Sequence, residues 1–166
     1  MDAHKHSFSP VVNADTRILI LGSLPGDASL AQQQYYAHPQ NRFWHLLSEL
    51  VGVNLVEQTY QDKLACLLQH GIGLWDVIAS AQRRGSLDSQ IKEHQQNDLP
   101  GLIASLPRLE IIAFNGGTAA KIGTKILASM KSTHTQITLP SSSPAYTLPY
   151  AQKLEAWKEL NNKKGG

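Results

Sequence analysis

Between Gly22 and Trp44 the chain reads GSLPGDASLAQQQYYAHPQNRFW, a stretch dense in glycine, proline, amide and aromatic side chains. Asn41 carries an amide that can read a base edge or hold a water, and Tyr35 and Tyr36 carry faces on which a nucleobase can stack. Phe43 and Trp44 have the same aromatic character, but they also begin an apolar helical period, and for Phe43 the role of core anchor is the better reading. Upstream, Gly22-Ser23-Leu24-Pro25-Gly26 can bring backbone N–H groups against a phosphate or a base, because glycine permits close approach. No Gly-Lys-Ser/Thr follows and the run is not GxGxxG, so neither nucleotide fingerprint applies. Taken alone, it reads as a tight strand-to-helix turn.

Three further groups carry chemistry. Ser141-Ser142-Ser143-Pro144 supplies hydroxyls and N–H groups suited to a phosphate. A nucleophilic serine would need a context such as GxSxG with a histidine base, and neither is evident, so phosphate contact is favoured over acyl transfer. A plain serine-rich turn is the remaining reading. Asp76 ends an apolar run and can accept hydrogen bonds from a base or hold a water; capping a turn is an equal alternative. The seven histidines form no HExxH and no other short-range ligand pair, which argues against a metal site.

The elements that position these groups follow from hydrophobic periodicity. Residues 17–23, 72–78, 110–114 and 134–139 read as strands, and the first does not alternate, which suits a parallel sheet buried on both faces. Helices are expected from Phe43 to Val51, over the Tyr60–Leu68 face, over 98–106 with Asp98 as N-cap, over Thr118–Ser129, and from near Pro149 through Leu160. Residues 1–16 read as a lead-in segment and 79–89, with Arg83-Arg84-Gly85-Ser86, as a loop. Strands alternating with helices give an α/β class: a three-layer α/β/α sandwich around a central four-stranded parallel sheet. Each strand then opens into a polar or small-residue loop, at 22–29, 76–89, 115–118 and 140–146. Ligands of open parallel sheets bind at that edge, so the four loops can converge on one site.

Composition restricts the classes further. A chain of 166 residues with 42% hydrophobic and 17% charged residues fits one soluble domain, 1–166, with a flexible tail at 161–166. No apolar run approaches the ~20 residues that span a bilayer. The N-terminus lacks a signal-peptide core, and the single cysteine, Cys66, allows no internal disulfide. A cytoplasmic protein is expected. The net charge of +2 demands no polyanionic partner; Arg83, Arg84, Lys121, Lys125, Lys131, Lys163 and Lys164 outnumber nearby acids in the C-terminal half, which is compatible with a phosphate-binding face and equally with a solvated surface and flexible tail.

The set GSLPG (22–26), YYAHPQNRFW (35–44), GLWDV (73–77), GSLDS (85–89), FNGG (114–117) and LPSSSPAY (139–146) resembles the uracil-DNA glycosylase superfamily, most of all its hypoxanthine-DNA glycosylase branch, family 6. The resemblance implies a monofunctional glycosylase, a monomer without metal or organic cofactor. Such an enzyme flips a deaminated base from DNA and hydrolyses its N-glycosidic bond, with hypoxanthine first and uracil next. It implies catalytic roles for Asn41, Gly22 and Ser23, and base-binding roles for Leu24, Pro25, Tyr36, Phe43, Asp76 and Asn115. Asn115 is as readily a helix cap. DNA-backbone contacts fall to Ser141, Ser142, Ser143, Pro144 and Tyr146. Leu24 stands where the better-known branches carry a water-handling Asp or Asn, and the serines replace their second-motif histidine, so the chemistry shifts to Asn41. That missing carboxylate also motivates an alternative: a module of the same fold that binds damaged DNA without cleaving it. A serine hydrolase is a third reading, without an identifiable base.

Overall fold

The computed structural model describes residues 3–83 and 91–163. In chain order the elements are β1 (Ala3–His6), β2 (Ile18–Gly22), α1 (Asp27–Gln32), α2 (Phe43–Val51), α3 (Tyr60–Gln69), β3 (Ile72–Asp76), β4 (Ile78–Arg83), β5 (Ile91–Gln96), α4 (Leu99–Ala104), β6 (Ile111–Asn115), α5 (Gly117–Ser129), β7 (Thr135–Leu139), α6 (Tyr150–Trp157) and α7 (Glu159–Lys163). Four strands make one parallel sheet, as the apolar runs predict, and their order is β3-β2-β6-β7.

Every residue of β2 and β6 is buried, because helices cover both sheet faces. Alternate side chains supply two cores. Ile18, Ile20, Ile72, Leu74, Ile111 and Ala113 pack with Phe43, Leu46, Leu47, Leu67 and Trp157 of α2, α3 and α6. Leu19, Leu21, Ile112 and Phe114 pack on the other face with Leu99, Ile103, Ala119, Ile126 and Leu127 of α4 and α5. Asp98 caps α4 as expected, its Oδ1 accepting from the Gly101 N–H at 3.0 Å.

Three sequence expectations are corrected. Residues 79–83 are not loop: β4 pairs antiparallel with β5 and with β1, giving a second, three-stranded sheet. The N-terminal lead-in therefore contains a strand. Its attachment continues beyond β1, where Ser7 N–H donates to the Ala79 carbonyl at 2.8 Å and Val11 bridges Leu74. Within the Gly22–Trp44 stretch, Asp27–Gln32 forms a short helix that ends on Gln33 in the left-handed region. The Arg84-Gly85-Ser86 part of the expected loop, the GSLDS run and Lys164 lie outside the described residues.

The sheet register sets the geometry of the site. Gly22 pairs with Asp76, Leu21 with Phe114, and Asn115 with Leu139, so the C-terminal ends of all four parallel strands line up along one edge. Helix α5 lies close to β6 because Gly123 has no side chain; a Cβ there would overlap the fully buried ring of Phe114. Gly123→Ala is expected to destabilise the fold by about 1–3 kcal/mol through overpacking. A thermal melt checks it, and an unchanged midpoint would show that the α5–β6 contact has slack.

Candidate active site

The loops at the aligned strand ends enclose a cavity of about 700 Å³, within the range of small-molecule and nucleotide sites. Its wall contains thirteen of the fourteen residues singled out from sequence: Gly22, Ser23, Leu24, Pro25, Tyr36, Asn41, Asp76, Asn115, Ser141, Ser142, Ser143, Pro144 and Tyr146. Phe43 is the exception. It is completely buried in the core as the anchor of α2, and its ring lies behind Tyr36, 3.8 Å between centroids and 13° from parallel. A base cannot reach it. Phe43 supports the platform and Tyr36 presents it.

Tyr36 holds a left-handed backbone at φ 56°, a conformation that costs a non-glycine residue ~1 kcal/mol or more. The Phe43 stack holds its ring, and the Ser29 hydroxyl, accepting from the Ala37 N–H at 3.0 Å, fixes the backbone beyond it. Its hydroxyl and the Asp76 carboxylate both lean over Gly22: a Cβ placed on Gly22 would lie 2.7 Å from Asp76 Oδ1 and 3.2 Å from Tyr36 Oη. The glycine at the end of β2 is thus what admits an acceptor and a phenol to the floor of the cavity. Asp76 itself is buried, at 3% exposure.

Asn41 sits at the start of α2, where the first N–H groups of a helix lack intrahelical partners. Its Oδ1 accepts from the Phe43 N–H at 2.9 Å, and its own N–H donates to the His38 carbonyl at 3.0 Å. That capping bond fixes the amide orientation and leaves the NH₂ end as the donor edge. Asn115 and Ser142 form a reciprocal pair: Asn115 Nδ2 donates to Ser142 Oγ, and Ser142 N–H donates to Asn115 Oδ1, both at 2.9 Å. Ser142 is 1% exposed, so it joins the loop to β6 and is shielded from solvent. Ser141 Oγ accepts from Ser143 N–H and Ser143 Oγ from Ala145 N–H, each at 3.1 Å. Gly116, at φ 101°, brings the backbone within 3.2 Å of Ser141, measured from the position its Cβ would occupy. Leu24, 7% exposed, also belongs to the core beneath α4 and α5. Tyr146 stands at the rim, half exposed.

No individual role was expected of Ser29 and Thr118, which lie in two of the converging strand-end loops, or of Lys121, read only as part of a basic bias, yet all three line the cavity. Tyr35 also borders the cavity, yet it is structural: its hydroxyl donates to the Ser9 carbonyl at 3.1 Å and its N–H donates to Tyr60 Oη at 3.0 Å. Burial, with the nearby Asp76 charge, pushes its phenol far above the ordinary range, so it stays protonated. Among the described residues no group of three or more His, Cys, Asp or Glu side chains could hold a metal ion, and no helix is long and apolar enough to cross a membrane.

A parallel sheet with this donor and acceptor set at its carboxyl edge has the form of an α/β enzyme with a ligand site at the strand ends, and comparison identifies the class. The profile of the Uracil DNA glycosylase superfamily matches residues 9–163, and the chain belongs to that family. Two relatives named Hypoxanthine DNA glycosylase are each 45% identical to it. One, from Methanosarcina acetivorans, aligns over 117 residues, 70% of this chain and 74% of its own. The other, from Methanosarcina barkeri, aligns over 112 residues, 68% and 71%. A solution NMR structure of a candidate uracil DNA glycosylase from Methanosarcina acetivorans superposes with a TM-score of 0.85 at 39% identity, covering 95% of this chain and 96% of that one. The chain is a monofunctional DNA glycosylase.

Gly22→Ala tests the floor of the site. The methyl group would displace Asp76 Oδ1, and an ångström-scale misplacement of this kind is expected to slow single-turnover base excision about 100-fold while circular dichroism stays unchanged. An unaltered rate would show that the position of Asp76 is irrelevant to turnover.

Proposed function

We propose that this glycosylase removes hypoxanthine from DNA, with uracil a slower second substrate, acting as a cytoplasmic monomer on a flipped nucleotide. The observation that carries the reading is the convergence of Asp76, Tyr36 and Asn41 on one cavity, roomy enough for an extruded purine nucleotide. The relatives' name agrees with it. Extruding a base from a duplex costs a few kcal/mol, least for a mispaired one, and stacking on Tyr36 offsets part of that. An ionised carboxylate only accepts hydrogen bonds. Hypoxanthine presents N1–H to it, whereas adenine presents a lone pair at N1. Asp76 therefore favours the deaminated base over its parent by a charged hydrogen bond, ~1.5–3 kcal/mol. Uracil carries an equivalent N3–H but fills less of the cavity.

In the reaction the C1′–N9 bond breaks and its electron pair leaves with the base, which is then protonated. Water adds to C1′ and gives up a proton. Positive charge grows on the sugar and negative charge on the base, so catalysis needs a held water and donors towards the base. Asn41 suits the donor role, because its Oδ1 is engaged by the Phe43 N–H and its NH₂ is presented. Being a far weaker base than a carboxylate, it positions and does not deprotonate. Ser141, Ser143, Pro144 and Tyr146 are assigned to the DNA backbone, and Ser142 with Asn115 to the shape of that loop. Gly22 and Ser23 line the floor, with Leu24 and Pro25 as its apolar wall.

The test is alkali-revealed strand cleavage of labelled duplexes carrying deoxyinosine or deoxyuridine. Deoxyinosine cleavage is expected to be the faster, and no cleavage of either at excess enzyme would overturn the proposal. Asn41→Ala is expected to lower the excision rate by about 100- to 1,000-fold with DNA affinity little changed. Asn41→Asp retains an acceptor for the helix cap but removes the donor, so it is expected to be equally inactive. Retained activity in Asn41→Asp would mean that the residue works as an acceptor or base.

A further inference from the structure

Among the residues whose burial is described, Lys153 is the one buried lysine. It is a lysine at 3% exposure, on a helix whose other buried side chain is Trp157. Lysines are almost never so buried without a partner, since desolvation penalises the charged form. Here burial, reinforced by the charge of Arg42, lowers its pKa from the ordinary lysine value. An aliphatic side chain would fill the same space without that penalty. What the ammonium does instead is specific. Nζ donates to the Ser143 carbonyl at 3.0 Å and lies 5.6 Å from the centroid of the Tyr146 ring. One helical turn later, Trp157 Nε1 donates to the Pro140 carbonyl at 2.9 Å. From the opposite side Arg42 N–H donates to the Ser142 carbonyl at 3.0 Å. The carbonyls of the serine loop are thus drawn back into the protein, and Tyr146 is held at the rim by a cation beneath its face.

We propose that Lys153 is a positioning residue for DNA binding, one that sets the Ser141–Tyr146 loop in its gripping conformation before DNA arrives. The inference rests on the reading of that loop as the DNA-backbone contact. A preformed loop spares the ordering entropy that a slack one would lose on binding, so the effect falls on affinity and leaves the bond-breaking step alone. Lys153 touches neither the base nor the sugar in this arrangement; it acts through Ser143 and Tyr146.

The experiment is steady-state excision of hypoxanthine by full-length Lys153→Met, Lys153→Arg, Tyr146→Ala and the Lys153→Met/Tyr146→Ala double variant, with thermal melts alongside. Lys153→Met is expected to raise KM for DNA about tenfold with kcat within about threefold of wild type. Lys153→Arg should recover part of the KM, and the double variant should be no worse than the weaker single, since both changes act on one loop. If Tyr146→Ala raises KM and Lys153→Met does not, the proposal for Lys153 falls while the loop reading stands. If neither moves KM, the loop reading itself falls. A drop in kcat at constant KM would place Lys153 in the chemistry and overturn the positioning role. Tyr146 is a rim residue, so its variant supplies a folded comparison; if Lys153→Met unfolds, a normally melting Lys153→Arg carries the test, a KM above wild type at unchanged kcat supporting the positioning role and a wild-type KM overturning it.

Discussion

The site depends on a single steric constraint: Gly22 lies beside Asp76 in the parallel ladder, and the carboxylate occupies the space a side chain on Gly22 would need. The register that pairs these residues is held by packing between the two cores, because a one-residue slip would exchange the side chains facing α2 and α3 with those facing α4 and α5. Core packing therefore delivers an acidic group to the floor of a cavity, at a depth that surface loops could not reach. The Tyr36 hydroxyl leans over the same glycine, so an acceptor and an aromatic face are presented together.

Around that floor the loops are tied to one another more than to solvent. Asn115 with Ser142 and Arg42 N–H with the Ser142 carbonyl join three chain segments far apart in sequence, and Asn41 is tied locally to the first turn of α2. Such preorganisation is what a glycosylase without a motif carboxylate at Leu24 would need. In the proposed mechanism Asn41 does not deprotonate the water, so rate comes from holding the water, the sugar and the departing base in fixed relation. The left-handed backbone of Tyr36 fits this account, since strain of that kind persists where surrounding contacts over-determine it.

The parallel sheet and its flanking helices were legible because continuous apolar runs and 3.6-residue periods are local signals. The convergence of the strand-end loops followed from topology, whereas Tyr36 and Asn41, which lie in none of those loops, were named from residue type and through the resemblance of the motifs. Three things were not legible. Strands β4 and β5, IASAQR and IKEHQQ, are polar and poor in β-branched residues, and β1 pairs with β4 across nearly half the chain, so nothing local marks the second sheet. Phe43 was read both as a stacking partner and as a core anchor, and only packing separates a ring that faces the cavity from one that backs its neighbour. Lys153 carries no sequence signal at all; a lysine on a terminal amphipathic helix reads as solvated, and its burial follows from where the serine loop returns.

The central claim is that Asp76 accepts a hydrogen bond from the lactam N–H that distinguishes hypoxanthine from adenine. Single-turnover excision of hypoxanthine and of N1-methylhypoxanthine from otherwise identical duplexes tests it most directly. Methylation removes the donor and sets a methyl group against the carboxylate, so the expected rate is about 10- to 150-fold lower for the methylated base, the loss of one charged hydrogen bond of ~1.5–3 kcal/mol. Equal rates for the two bases would contradict it.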